Sequence, residues 1–357
     1  MSSKYFAAVL WLLVALAVAA CGGEQAAEPT AAPAAGEAGG GARVFVFSNS
    51  SPHVSVVDGG TLAVVETADI PDFTSWTWND DNNFFDGENL WLGTKDPDTN
   101  EVAVILLNLE TLEVTDRIPL GTDEVTLYIG KPSRDGTLFV SKHASGQVAA
   151  IDIASHEVLG ITDIPVNGGV ACDMDVAVGS DGVERVFVPT DNGDTVISLD
   201  PASLEVLETY TAPPDSRPFM LTAATSKDQV WVQERNTNAN LVLDAITLEE
   251  IARVPAGEGV IVNAFSPDET LSYLGHTKDV VVTAVDTTSL QEVQRIQVGT
   301  NPQKVGVDPG GRYVYAILTQ EGALAVIDTG TWQVTKRIPL GTNPSGIYVE
   351  DVNFPGN

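Results

Sequence analysis

The chain has 357 residues, with 49 Asp and Glu against 18 Lys and Arg, for a formal net charge of −31. Duplex recognition needs clustered Lys and Arg to displace counterions, and no basic run exists here, so nucleic acid is excluded as a partner. Two cysteines, Cys21 and Cys172, cannot build a disulfide framework, and Cys172 is flanked by Asp173 rather than by the cation a reactive thiol needs.

The N-terminus reads as a targeting segment. Lys4 precedes an apolar run from Tyr5 to Ala20, which is short for a membrane span and right for a signal-peptide core. It ends Val18-Ala19-Ala20-Cys21-Gly22, small residues before a cysteine. This resembles a bacterial lipobox, and the resemblance implies cleavage before Cys21 and lipidation at Cys21. At about 0.8 kcal/mol per buried methylene, two or three acyl chains anchor a soluble domain stably. Residues 1–20 are therefore predicted to be a lipoprotein signal peptide. Residues 21–42, rich in Ala, Gly, Pro and Glu, are predicted to be the lipidated Cys21 and a flexible tether. The expected location is extracytoplasmic, anchored to the bacterial cell membrane.

From residue 43 onward one phrase recurs seven times: Asp or Asn, two variable residues, Thr or Ser, then a bulky residue. The copies begin at Asp58, Asn108, Asp152, Asp200, Asp244, Asp286 and Asp328, in steps of 50, 44, 48, 44, 42 and 42 residues. A near-constant period in the forties marks an array of small sheets. The Asp or Asn side chain is expected to accept the backbone N–H two residues on, and the Ser or Thr hydroxyl to do so more weakly, which fixes a hairpin turn. His156 stands where the other copies carry Leu or Trp, which makes it a packing residue rather than a ligand. Short β-branched runs between turn signals give four strands per unit, as in Tyr313–Ile317 and Ala323–Asp328. The fold class is all-β: a seven-bladed propeller of four-stranded antiparallel blades over residues 43–357. The segment Gly341–Glu350 is expected to be an inner strand that completes one blade with Arg43–Phe47 and closes the ring.

Val285-Asp286-Thr-Thr-Ser-Leu, Gly299-Thr-Asn-Pro302, Asp308-Pro309-Gly310-Gly311 and Tyr313-Val314-Tyr315 resemble the YVTN-family β-propeller repeat, as do Ala325–Asp328 and Gly341–Pro344. The resemblance implies an extracytoplasmic or surface propeller and specifies no reaction.

In a propeller the loops after the second and fourth strands share one face, where ligands of this fold usually sit. Lys95, Lys142, His143, Glu234, Arg235 and His276 are placed there by the second-strand loops, and Arg217 and Lys304 by the fourth-strand loops. Five bases on one face of so acidic a chain suggest a funnel for a small anionic ligand. Trp76 and Trp78 have strand period and could stack a ligand, while Phe84 and Phe85 fall in an inserted loop expected on the opposite face. Asp96, Asp98 and Asn100 alternate as calcium ligands do but lack the glycine and distal glutamate of an EF-hand. No zinc set, Cys-x-x-Cys-His, nucleophile elbow or phosphate loop is present, so no catalytic residue is assigned. The expected protein is a monomeric binding module for a small anionic ligand or an extracytoplasmic protein. The alternative is a lyase, hydrolase or haem-related accessory protein working at the channel mouth.

Overall fold

A computed structural model describes residues 41–48, 51–70, 84–164 and 172–350. These form seven four-stranded antiparallel sheets arranged as blades around a ring, with nothing helical beyond two single turns. Blade 1 joins both ends of the described chain: Pro344–Val349 is its inner strand, followed outward by Arg43–Ser48, His53–Asp58 and Ala63–Asp69. Blades 2 to 7 follow as 84–122, 127–163, 175–211, 218–255, 260–297 and 302–339, each running from its inner strand to its outer one.

The ring is shut by the pairing of Val44 with Val349 through to Ser48 with Pro344. Arg43 reinforces it, donating to the two carboxylate oxygens of Glu350 at 2.8 and 2.6 Å. The strand pairing supplies the fourth strand of blade 1 from the far end of the chain and so ties the last blade to the first; the outer strand of each blade remains as a short edge.

All seven repeated phrases make the same turn between third and fourth strands. In each, the first side chain accepts the backbone N–H three residues on at 2.6–2.9 Å. The Thr or Ser hydroxyl donates to the same oxygen. That hydroxyl is the largest cause holding the Asp58 and Asp152 carboxyls below their ordinary value. The fifth residue closes the turn by donating its N–H to the first residue's carbonyl, at 2.8–2.9 Å.

This geometry forces the fifth residue into the left-handed region. Leu62, Leu112, His156, Leu204, Leu248, Leu290 and Trp332 all have φ between 53° and 61°. An L-residue with a Cβ sits there at a cost of about 1 kcal/mol. The offset is burial at the seam with the preceding blade. Leu112 joins the core between blades 1 and 2, Leu248 that between blades 4 and 5, and Trp332 packs at 6.3 Å against Tyr273 of blade 6. His156 does the same work by another contact, its ring edge-on to Trp91 at 5.3 Å and its Nδ1 bonded to Asp116.

One sequence expectation needs correction. Phe84 and Phe85 are not an inserted loop on the opposite face: they are the inner strand of blade 2, pairing with Trp91 and Leu90. Phe85 is buried in the seam with blade 1, because the short turn Asp86–Glu88 leads directly into the second strand. Trp76 and Trp78 lie outside the described residues, as does Cys21.

The turn geometry makes a stability prediction at Leu248, which is 2% exposed. Leu248→Ala removes the seam contact at a cost of about 2–5 kcal/mol. Leu248→Gly loses slightly more contact but relieves the left-handed strain, so the two variants should unfold in urea within about 0.5 kcal/mol of each other. Without the strain, glycine would be the less stable by about 1 kcal/mol.

Candidate site at the channel mouth

On the face away from the repeated turns, blades 2, 3, 5 and 6 enclose a cavity of about 410 Å³. It is lined by Lys95, Glu124, Val125, Tyr128, His143, Phe219, Arg235 and Ile261.

Local backbone irregularity supplies two of the apolar walls. At the start of the inner strand of blade 5, Pro218 pairs with Glu234 and Met220 with Gln233, which leaves Phe219 as an extra, unpaired residue. Ile261 is the corresponding bulge in blade 6, between Val260 and Val262. A bulge re-aims a side chain that regular pleating would turn elsewhere. The same position in blade 7 is Gln303, whose amide is tied to Thr319 in the blade wall.

Three rings pack edge to face. Tyr128 lies 6.2 Å from Phe219 and 5.5 Å from His143, and His143 lies 6.3 Å from Phe219. Tyr128 is buried, and that burial raises the phenol well above its ordinary pKa, so it stays protonated. Arg235 lies over Phe219, its guanidinium carbon 3.4 Å from the ring centroid. Such stacking is worth about 0.5–2 kcal/mol, depending on desolvation.

Behind this cluster Asp191, 4% exposed, binds two arginines. Arg217 holds both of its oxygens, at 2.9 and 2.7 Å, and Arg235 Nε stands 3.7 Å away. The loop that delivers Arg217 is wrapped on Asp194, which accepts the N–H groups of Asp215 and Arg217. Both donor residues take left-handed φ, 65° and 57°. Buried Cys172 belongs to the same core as Tyr128 and Phe219. Burial first, then the Asp191 charge, pushes its thiol well up, so it is not a thiolate.

The structure thus brings Lys95, His143 and Arg235 together, with Arg217 behind them. It does not bring the other basic and acidic candidates to the cavity. Lys142 is buried in blade 3 and donates to Gln147 at 3.1 Å. Glu234 is fully buried, bonded to Arg253 and to Thr237. His276 is fully buried with both nitrogens engaged: Nε2 accepts the N–H of Gly257 at 3.0 Å and Nδ1 donates to Val281 O at 2.9 Å. Burial is the main cause lowering its pKa, so the neutral ring is the resting form. A Cβ on Gly257 would stand 2.9 Å from that ring, so glycine is what lets the loop approach.

Lys304 is 1% exposed on the inner strand of blade 7, where burial lowers its pKa. Strand alternation puts it on the side of Gly306, which lines a second cavity of about 320 Å³ at the opposite end. Lys131 also lines that end and donates to buried Asp175 at 2.9 Å. Asp175 takes the N–H of Ala223 from the next blade as well.

The funnel of five bases therefore resolves into two groups. Two bases are sunk in the blades, and three stand at the mouth with Asp191 and Glu124 among them; Lys95 Nζ reaches the Glu124 carbonyl at 2.5 Å.

Asp96 spends one carboxylate oxygen on its own turn, accepting the N–H groups of Asp98 and Thr99 at 2.8 and 2.9 Å. Asn100 closes that turn with φ of 61°. Among the described residues no group of three or more His, Cys, Asp or Glu is arranged to hold a metal ion. Sequence reasoning missed Tyr128, Phe219, Val125 and Ile261. A signal existed for two of them: the residue after the first position of the inner strand is Gln303 and Ser345 in the regular units, but Phe219 and Ile261 here.

No family model matches this sequence, and no curated protein matches it. Many solved structures share its fold. The periplasmic gluconolactonase of Pseudomonas aeruginosa superimposes with a TM-score of 0.65 at 20% identity, covering 87% of this chain and 99% of that one. A protein from Lactobacillus plantarum gives 0.70 at 11% identity, covering 87% and 100%. The dihydro-haem d1 dehydrogenase NirN, solved in complex with DHE, gives 0.57 at 13% identity, covering 88% and 77%. At these identities the likeness is one of fold.

Proposed function

We propose that this protein is a binding module, a seven-bladed propeller that takes a small anionic molecule at the mouth cavity. The observation that carries the reading is the combination found there: aromatic and aliphatic walls, with Lys95 and Arg235 among the lining side chains. Ligand sites of about 300–1,000 Å³ are built in this way, mostly apolar with a few placed polar groups, and the cavity is about 410 Å³.

The tether belongs to the same proposal. The apolar run of residues 5–20, the small residues before Cys21 and the Ala/Gly/Pro/Glu segment to residue 42 support a lipid-anchored, extracytoplasmic propeller. The YVTN-like repeats and the periplasmic gluconolactonase fold neighbour agree with that location. Cys21→Ala should move the protein from the membrane pellet to the soluble fraction; a pellet fraction unchanged by the substitution would remove the anchor from the account.

A hydrolase is the second reading. It is favoured by His143, which shares the cavity, and by the gluconolactonase among the fold neighbours. Thermal shift over a panel of carboxylates, phosphates, sugars and lactones separates the two. Binding of native protein alone raises Tm as RT ln(1 + [L]/Kd). Anionic members should raise the Tm of the wild type but not of Ile261→Trp, which fills the cavity. No shift with any member, or shifts that survive Ile261→Trp, would contradict the site. Lactone turnover abolished by His143→Ala would replace binding with hydrolysis.

A further inference from the structure

Arg235 is held as a half-used fork. Phe219 fixes the guanidinium by contact at 3.4 Å, and Asp191 attracts it from the Nε side at 3.7 Å. Asp191 is itself immobilised by the two bonds from Arg217. Among the described residues Nη1 and Nη2 of Arg235 make no hydrogen bond, and the side chain is 37% exposed at the cavity. Two parallel N–H donors on a preorganised guanidinium match the two oxygens of a carboxylate, and such bidentate, charge-assisted pairs are among the stronger hydrogen bonds.

The charge of the lining sets the valence. Among the lining side chains Lys95 and Arg235 are positive and Glu124 is negative. Behind them Arg217 is paired with Asp191, and buried Asp173 sets a further negative charge near Tyr128 and Cys172. With so little net positive charge at the mouth, a single carboxylate held by Arg235 costs less against the walls of Val125, Tyr128, Phe219 and Ile261 than a phosphate dianion, which brings twice the charge. The same walls offer an apolar body a surface to cover, and Val125, 45% exposed, has the most to gain.

Resting on the binding reading above, we propose that the ligand is a monocarboxylate with an apolar or aromatic body. Its carboxylate is taken by Nη1 and Nη2 of Arg235, and its body lies against Val125, Tyr128 and Ile261. Arg217 and Asp191 are positioning residues that hold the fork and do not touch the ligand.

Calorimetric titration of the full chain with phenylacetate and hexanoate, their amides, and inorganic phosphate tests this. The acids should bind at least about tenfold more tightly than the amides and than phosphate. Arg235→Gln should cost the acids about tenfold or more and erase their preference over the amides, with Tm in the absence of ligand confirming that the variant is folded. Arg235→Lys, which restores charge without the fork, should not recover that preference in full. Amides binding as well as acids in the wild type, yet excluded by Ile261→Trp, would overturn the carboxylate assignment and leave the mouth site standing. Acids binding equally well to Ile261→Trp would overturn both. Phosphate binding more tightly than the acids, or no binding by any of these probes, would overturn the assignment.

Discussion

Seven side-chain oxygens, each bonded to the backbone N–H three residues ahead, set the frame on which everything else in this molecule stands. Each bond makes a turn, and each turn drives a bulky residue into left-handed backbone and against the preceding blade. Local hydrogen bonding and packing between blades are thereby one event. The strain of about 1 kcal/mol per turn is tolerable because the residue that bears it also seals a seam. His156 shows that the requirement is contact rather than hydrophobicity, since an imidazole edge on Trp91 with a bond to Asp116 serves where six other turns use Leu or Trp.

The same arrangement divides the labour between the two faces. The third-to-fourth-strand turns are committed to structure and vary little. The loops on the other face carry no such duty, and there the units diverge. The mouth cavity is built where divergence is greatest: Phe219 and Ile261 at bulge positions that blades 7 and 1 fill with Gln303 and Ser345, the strained loop that delivers Arg217, and the second-strand loops bearing His143 and Arg235. Ring closure through Arg43, Glu350 and the strand pairing of blade 1 holds the inner strands in place, so the cavity walls come from rigid elements rather than from loops alone.

The fold was legible in the sequence because its decisive signal is local. Asp58, Thr61 and Leu62 sit within five residues of one another, and their roles repeat seven times. The site was legible only in part, because what decides it is non-local. Nothing in the sequence near His276 says that both its nitrogens are spent on Gly257 and Val281, or that Glu234 is matched by Arg253. Lys142 and His143 are adjacent in sequence, yet one is buried in the blade and bonded to Gln147 while the other lines the cavity. Phe84 and Phe85 were misplaced because a very short inner strand followed by a three-residue turn looks like an insertion. Hydrophobic periodicity does not show the one-residue bulge that carries Phe219 and Ile261; only alignment with Gln303 and Ser345 at the same position of other units marks them.

The central claim is that ligand is taken at the mouth between blades 2, 3, 5 and 6 and not at the opposite end of the ring. Backbone hydrogen exchange with and without a saturating carboxylate ligand tests it most directly. The account predicts slowed exchange confined to residues 123–128, 143–146, 217–220 and 235–238. Protection at Lys131, Thr222 and Tyr348, which line the opposite cavity, with none at the mouth would contradict it.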